Sequence, residues 1–271
     1  MAAWDRDAAV AAYTDALTAI RSLAHEVDLT RWGDPSDLPG WSVHDVFAHV
    51  ACLEALLLGR VDPPHEPDWS RLPHVGEDWV KRRMEVGVDL RRGRDHVQVR
   101  DELDEVVAQR LPQIGALPTD PDALVPGVLG KPRPVAGSVA IRTFDVWAHE
   151  QDVRRAEGLP ERLTGPAAEV ARQRIITALP SVVGELGLHE GTCVRWELTG
   201  ALPGTVAVRV GEDQATSLEG EEEDADATMT LDWGTFALLA CGRVTPSHAR
   251  VTIDGDVGLA ERVLDAMSIT P

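Results

Sequence analysis

The sequence predicts an α+β chain of two domains, an up-down helical bundle over residues 1–158 and a small α+β domain over residues 166–271. Three observations carry this reading. In the first half, apolar residues recur every three or four positions, the period of one helix face. The stretch Gly158-Leu159-Pro160-Glu161-Arg162-Leu163-Thr164-Gly165-Pro166 then reads as a linker. Beyond it, short runs alternate apolar and polar residues, the period of a strand.

Taken in order, Val10, Tyr13, Leu17, Ile20, Ala24 and Val27 form the stripe of a first helix. A second begins after Leu38-Pro39-Gly40-Trp41, with Ser42 as N-cap and Asp45 three residues on, an approximate capping box, and runs to about residue 59. A Pro-rich connection follows. Residues 77–90 and 97–111 read as helices, a second Pro-rich loop separates them from a helix over 137–157, and no segment of this half reads as a strand. Past the linker, a helix over 167–183 precedes Val194-Trp196-Leu198 and Val206-Val208-Val210, two alternating runs split by Leu202-Pro203-Gly204, a hairpin signal. Ala227-Met229-Leu231 and Val251-Ile253 read as further strands, and 233–239 and 257–267 as helices. The acidic run Glu219-Gly220-Glu221-Glu222-Glu223-Asp224 reads as a solvated loop tip.

The 271 residues carry 26 Lys and Arg against 45 Asp and Glu, a formal net charge of −19. Nucleic-acid binding needs a basic footprint, and so does docking on anionic lipid. No apolar run reaches the roughly 18 residues of a membrane span. Met1-Ala2-Ala3-Trp4-Asp5-Arg6-Asp7 meets charge at once, unlike a signal peptide. The expectation is a cytoplasmic protein, monomer or homodimer, with small-molecule partners and neither nucleic acid nor membrane. Cys52, Cys193 and Cys241 lie singly, with no C-x-x-C pair, and read as buried, inert thiols.

Polar residues fall where the helix periods place the core. On a wheel of about 100° per residue, with Asp145 at zero, His149 lies at about +40°, Arg142 at about +60° and Asp152 at about −20°. Val139, Ile141, Val146, Ala148 and Val153 flank them, while Thr143, Glu150, Gln151 and Arg154 form the opposite face, expected in solvent. In the second helix His49 shares its face with Val46, Val50, Leu53, Leu56 and Leu57, and His44 and Glu54 fall on the far side. A buried polar stripe is costly unless paired or bound to an ion. Asp145 and His149 are one turn apart and can reach a common point. With His49 they form a three-donor metal site with an open position. A second arrangement satisfies the same residues without metal: Arg142 on Asp145 or Asp152, and His149 on Asp152. H-E-x-x-H is absent, so the site is not of the zincin type.

These residues also carry a resemblance. Leu38-Pro39-Gly40-Trp41-Ser42-Val43-His44-Asp45-Val46-Phe47-Ala48-His49 resembles the start of the metal-binding helix in DinB-like bundles. Arg142-Thr143-Phe144-Asp145-Val146-Trp147-Ala148-His149-Glu150-Gln151-Asp152 resembles the second metal motif of the mycothiol-dependent maleylpyruvate isomerase family. Gly242-Arg243 and the stretch from Val251 to Ala260 resemble that family's sterol-carrier-like second domain.

The resemblance implies a DinB-like four-helix bundle holding a divalent metal, usually zinc, on His49, Asp145 and His149, and mycothiol as thiol cosubstrate. The family pattern has Glu where this chain has Asp145, a shorter arm. Coordination at the open position would turn a thiol into a nucleophilic thiolate near neutral pH. Added to a cis double bond conjugated with a carbonyl, the thiolate permits rotation, and its elimination leaves the trans isomer. In an S-transferase it stays on the electrophile. Cations are then expected for acidic groups: Arg142, Arg82 and Arg83 for the cosubstrate, and Arg243 as a catalytic residue. Two other readings stand beside this one, hydrolysis by metal-bound water and non-catalytic carriage of an apolar ligand. Two His and a carboxylate also suit iron(II).

Overall fold

A computed structural model describes residues 4–218 and 224–270. The first three residues and most of the acidic run, residues 219–223, lie outside the described residues. The chain divides into two compact units, residues 1–171 and 172–271.

Among the described residues the first unit is built on α1 (Arg6–Glu26), α2 (Val43–Leu57), α3 (Trp79–Arg92), α4 (His96–Gly115) and α5 (Val135–Ala156). The α1 stripe buries Tyr13, Leu17, Ile20 and Ala24 as its period requires. At the start of α2 the capping box is complete. Ser42 Oγ accepts from the Asp45 backbone N–H, and the Ser42 backbone N–H donates to Asp45 Oδ2 at 2.9 Å. Helix α1 packs on α4 and α5, and α2 packs on the same two, so four helices close a ring around one interior, with α3 laid against α2. Gly87 lets α3 come close, because a Cβ there would meet Cys52 Sγ.

Two expectations change here. The second Pro-rich loop contains a two-residue ladder, β1 (Leu124–Val125) antiparallel to β2 (Arg133–Pro134), too short for alternation to reveal. The face of α5 expected in solvent is buried, with Thr143 and Glu150 0% exposed and Gln151 2%. At Glu150 and Gln151 the stretch expected to be a linker folds back over α5. Trp147 Nε1 donates to the Arg162 carbonyl at 2.9 Å, the Arg162 backbone N–H donates to Gln151 Oε1 at 2.7 Å, and the Arg162 guanidinium pairs with Glu150 and Asp15.

The boundary between units falls inside α6 (Pro166–Gly184). The second unit is a five-stranded sheet in the order β5-β4-β3-β6-β7: β3 (Cys193–Thr199), β4 (Gly204–Val210), β5 (Ala215–Leu218), β6 (Ala227–Asp232) and β7 (Thr252–Gly255). The central pair β3–β6 is parallel and the other pairs are antiparallel. Strands β3 and β4 flank the expected hairpin turn, and β5 is an addition to the sequence reading. Helices α7 (Trp233–Ala240) and α8 (Val257–Asp265) complete the unit. Val194, Trp196 and Leu198 alternate into its core with Val208, Met229 and Leu231. No helix of the described residues is long and apolar enough to cross a membrane.

Candidate metal centre

Helix α2 supplies His49, and α5 supplies Arg142, Asp145, His149 and Asp152 at the i, i+3, i+7 and i+10 steps of one stripe. Both helices border the interior, so the two stripes meet. One donor atom each from His49, Asp145 and His149 lies within 4.8 Å of the other two. His49 Nε2 is 3.5 Å from Asp145 Oδ2, and His149 Nε2 is 3.7 Å from Asp145 Oδ1. These separations exceed a good hydrogen bond but suit three ligands of one ion.

The donor set fits a divalent metal on the structure's own terms. Neither ring nitrogen of His49 has a hydrogen-bond partner, although both are buried. Such a group is costly unless something else satisfies it. Burial pushes the His49 imidazole pKa down, outweighing the pull of Asp145, so the ring is held neutral with a lone pair to give. His149 Nδ1 lies 3.0 Å from Asp152 Oδ2. An ionised carboxylate can only accept, so the proton sits on Nδ1 and leaves Nε2, with its lone pair, facing Asp145. Burial alone would raise the Asp145 carboxyl, but the Arg142 guanidinium beside it holds it well below the usual carboxylate range.

Two layers support the three residues. The Trp41 ring lies 5.1 Å from the His49 ring and 6.0 Å from the His149 ring, between centroids. Its Nε1 donates at 2.8 Å to Glu85, a carboxylate only 2% exposed that also takes Arg92. Gly40, with φ at +78°, turns the chain into Trp41, and a Cβ there would strike the His74 ring. The second layer is centred on Glu54 of α2, 0% exposed. It accepts from each of the other three helices of the ring: Tyr13 Oη at 2.8 Å, Arg110 Nε at 2.9 Å, and Arg142 through Nη2 at 2.7 Å and Nε at 3.1 Å. Burial would raise the Glu54 carboxyl, but Arg142 and Arg110 outweigh it and hold it low. Arg142 passes this on, since its Nη1 donates to Asp145 Oδ2 at 2.6 Å.

Both sequence-derived arrangements are therefore present together. The Arg142–Asp145 ion pair and the His149–Asp152 hydrogen bond form, and the three donors still converge. Glu54 corrects the wheel, which placed it on the far side of α2; its partners lie 41, 56 and 88 residues away in sequence. Of the remaining candidates, Arg82 secures its own loop, donating to the Gly76 carbonyl and Glu77 with its guanidinium 5.0 Å over the Trp69 ring. Arg83 is exposed on α3. Arg243 follows α7 in the second unit, where Nη1 donates to the Cys241 carbonyl at 2.5 Å.

Comparison with known proteins gives this geometry a context. The model of the mycothiol maleylpyruvate isomerase N-terminal domain matches residues 13–154, and the SCP-2 sterol transfer family matches residues 179–268. No curated protein matches the chain. The crystal structure of a mycothiol-dependent maleylpyruvate isomerase superposes with a TM-score of 0.55 at 17% identity, over 94% of this chain and 95% of that one. A single-site mutant of the same enzyme gives the same values. At that identity the likeness is one of fold. The N-terminal match spans more than half of the sequence and includes all three converging residues, and by it the chain belongs to the mycothiol maleylpyruvate isomerase family.

Proposed function

We propose that the chain is a metal-dependent enzyme that uses a low-molecular-weight thiol, mycothiol, to isomerise a small cis-unsaturated acid or to transfer the thiol to an electrophile. The observation that carries this is the convergence of His49, Asp145 and His149 around an unsatisfied imidazole. The family's isomerase, similar over almost the whole chain, supplies the thiol and the reaction class. His49, Asp145 and His149 would hold the ion. A zinc ion so held supplies Lewis acidity, which lowers the pKa of a thiol brought to it.

The protein's own residues do the rest. Asp152 fixes the His149 tautomer, and Trp41 walls the imidazoles. Val46, Leu53 and Val146 are buried and keep water from the site, which strengthens each charge interaction inside it. Arg142 has its guanidinium committed to Glu54 and Asp145, so we give it a positioning role rather than a hold on the cosubstrate. Arg243 is assigned as the cation for an acidic group of the substrate, and Arg82 as a further cation for the thiol.

The test joins metal to thiol. Purified protein should hold close to one metal per chain, lost in His49→Ala and in His149→Ala. Cobalt-substituted protein should show a sulfur-to-metal charge-transfer band when mycothiol is added. Metal retained in both variants would refute the centre. A loaded protein with no new band under saturating thiol, turning over without thiol, would make it a hydrolase.

A further inference from the structure

A cavity of about 240 Å³ opens into the first unit beside Arg142, and none of the three converging residues lines it. Its inner end is polar and buried: Tyr13, Arg110 and Arg142 are 1%, 8% and 3% exposed. Its walls are apolar, from Leu57, Leu117, Val125 and Val139, with Ser138 among them. Gln113, exposed, stands at the mouth. The lining thus carries two guanidinium groups and no carboxylate. Glu54 lies behind it and answers both cations at once.

We propose that this cavity is a second ligand site, for a small monocarboxylate with an apolar body. Arg110 gives Nε to Glu54 and Nη1 to Gln113 Oε1, the latter at 2.7 Å. The Gln113 bond is the replaceable one, because its acceptor is a neutral amide on an exposed side chain that water can satisfy. A carboxylate in the same place brings a full negative charge to the guanidinium, which the amide oxygen lacks, and can take two of its N–H groups at once. The four aliphatic walls then cover the tail and favour it over a bare anion. At about 30 Å³ per water-sized group, the volume holds about eight non-hydrogen atoms, the size of hexanoate. The site stands independently of the metal reading, since no converging donor contributes to it.

The test titrates hexanoate into the full chain by calorimetry, with acetate, 1-hexanol and hexylamine as matched probes. One saturable hexanoate site is expected, at least tenfold tighter than for acetate or 1-hexanol, with no binding of hexylamine. Ser138→Phe fills the cavity without touching the ion network and should weaken hexanoate at least tenfold, whereas His49→Ala should leave it within twofold. Leu117→Trp narrows the same cavity from a half-buried wall and carries the test if Ser138→Phe does not fold. Equal binding of hexanoate and 1-hexanol, absence of a saturable site, or hexanoate binding lost in His49→Ala but unchanged in the cavity variants would overturn the proposal.

Discussion

The two units bury different things. Every charged residue buried among the described residues lies between His44 and Asp152, in the first unit, while the residues buried in the second unit are all apolar. The second unit packs its sheet with alternating apolar residues, with Trp196, Val208 and Met229 at 0% exposure. The first could have closed its helix ring in the same way, yet it encloses Glu54, Arg110, Arg142 and Glu150. Buried ion pairs give little net stability over apolar residues of the same shape, and breaking one is costly. Their placement therefore reports what the interior is arranged to do. In this unit it aims donors from three helices at one carboxylate on the fourth, and through Arg142 at Asp145.

The largest effect that would sharpen this contrast is at Glu54. Glu54→Ala leaves two buried guanidiniums without their carboxylate and should cost about 3–5 kcal/mol of first-unit stability, read from urea unfolding. Replacing Glu54, Arg110 and Arg142 together with Leu, Met and Met should recover most of that loss while abolishing metal binding. A cost under about 1 kcal/mol for Glu54→Ala would erase the difference between the units.

The next effect lies at the ring held by Asp152. Asp152→Asn preserves shape but no longer favours the proton on His149 Nδ1, and should weaken metal binding about 10–100-fold, measured by competition with a chelator. Asp145→Glu, which lengthens the arm, should bind metal as well as or better than wild type. Equal metal affinity in Asp152→Asn and wild type would reduce Asp152 to an ion-pair partner of Arg155, which it also accepts at 2.6 Å.

These residues also show how far the sequence could be read. Periodicity placed α1, and the cap at Ser42 started α2 correctly, because both are local: the signal and its structural cause lie within one or two turns. The same holds for the β3–β4 hairpin. Asp145 and His149 share a turn, and His49 sits among apolar neighbours, so the converging set was visible on two wheels. Glu54 and Gln151 were not. Each looks solvent-facing from its own helix and is buried by chain remote in sequence, Glu54 by Tyr13, Arg110 and Arg142, and Gln151 by the backbone of Arg162. Trp41 left a signal in its place before the cap, but its contact with both imidazoles needs the packing of α2 on α5.

Acid should separate the units less sharply. The Glu54 carboxyl is held below its unfolded value of about 4.3, so its stabilisation is complete above that pH and is lost as pH falls through the lower folded value. In the second unit Asp232 is also held low, by the hydroxyl and backbone N–H of Thr235 after burial is overcome, but its exposed position screens it more. Between pH 6 and pH 3 the urea midpoint of the first unit should therefore fall further than that of the second. Glu54→Gln should flatten the first slope and leave the second alone. Parallel slopes in the wild type would show that the buried network is not what acid attacks.

The smallest effect uses the cysteines as position markers. None forms a disulfide and all are buried, Cys52 in the first unit and Cys193 and Cys241 in the second. Burial pushes the Cys52 thiol up to about 11, and Arg91 beside it only partly offsets this. Native Cys52 should therefore alkylate slowly at pH 7.5, since the thiolate is the reactive form and the side chain is shielded. Labelling then requires opening, and its rate reports the opening free energy of the surrounding unit. In Glu54→Ala at low urea, mass mapping should find Cys52 labelled several-fold faster than in wild type, with Cys193 and Cys241 unchanged. Equal acceleration at all three would mean that the units open together, and the buried charges of the first would then be stabilising a cooperative whole rather than one half of it.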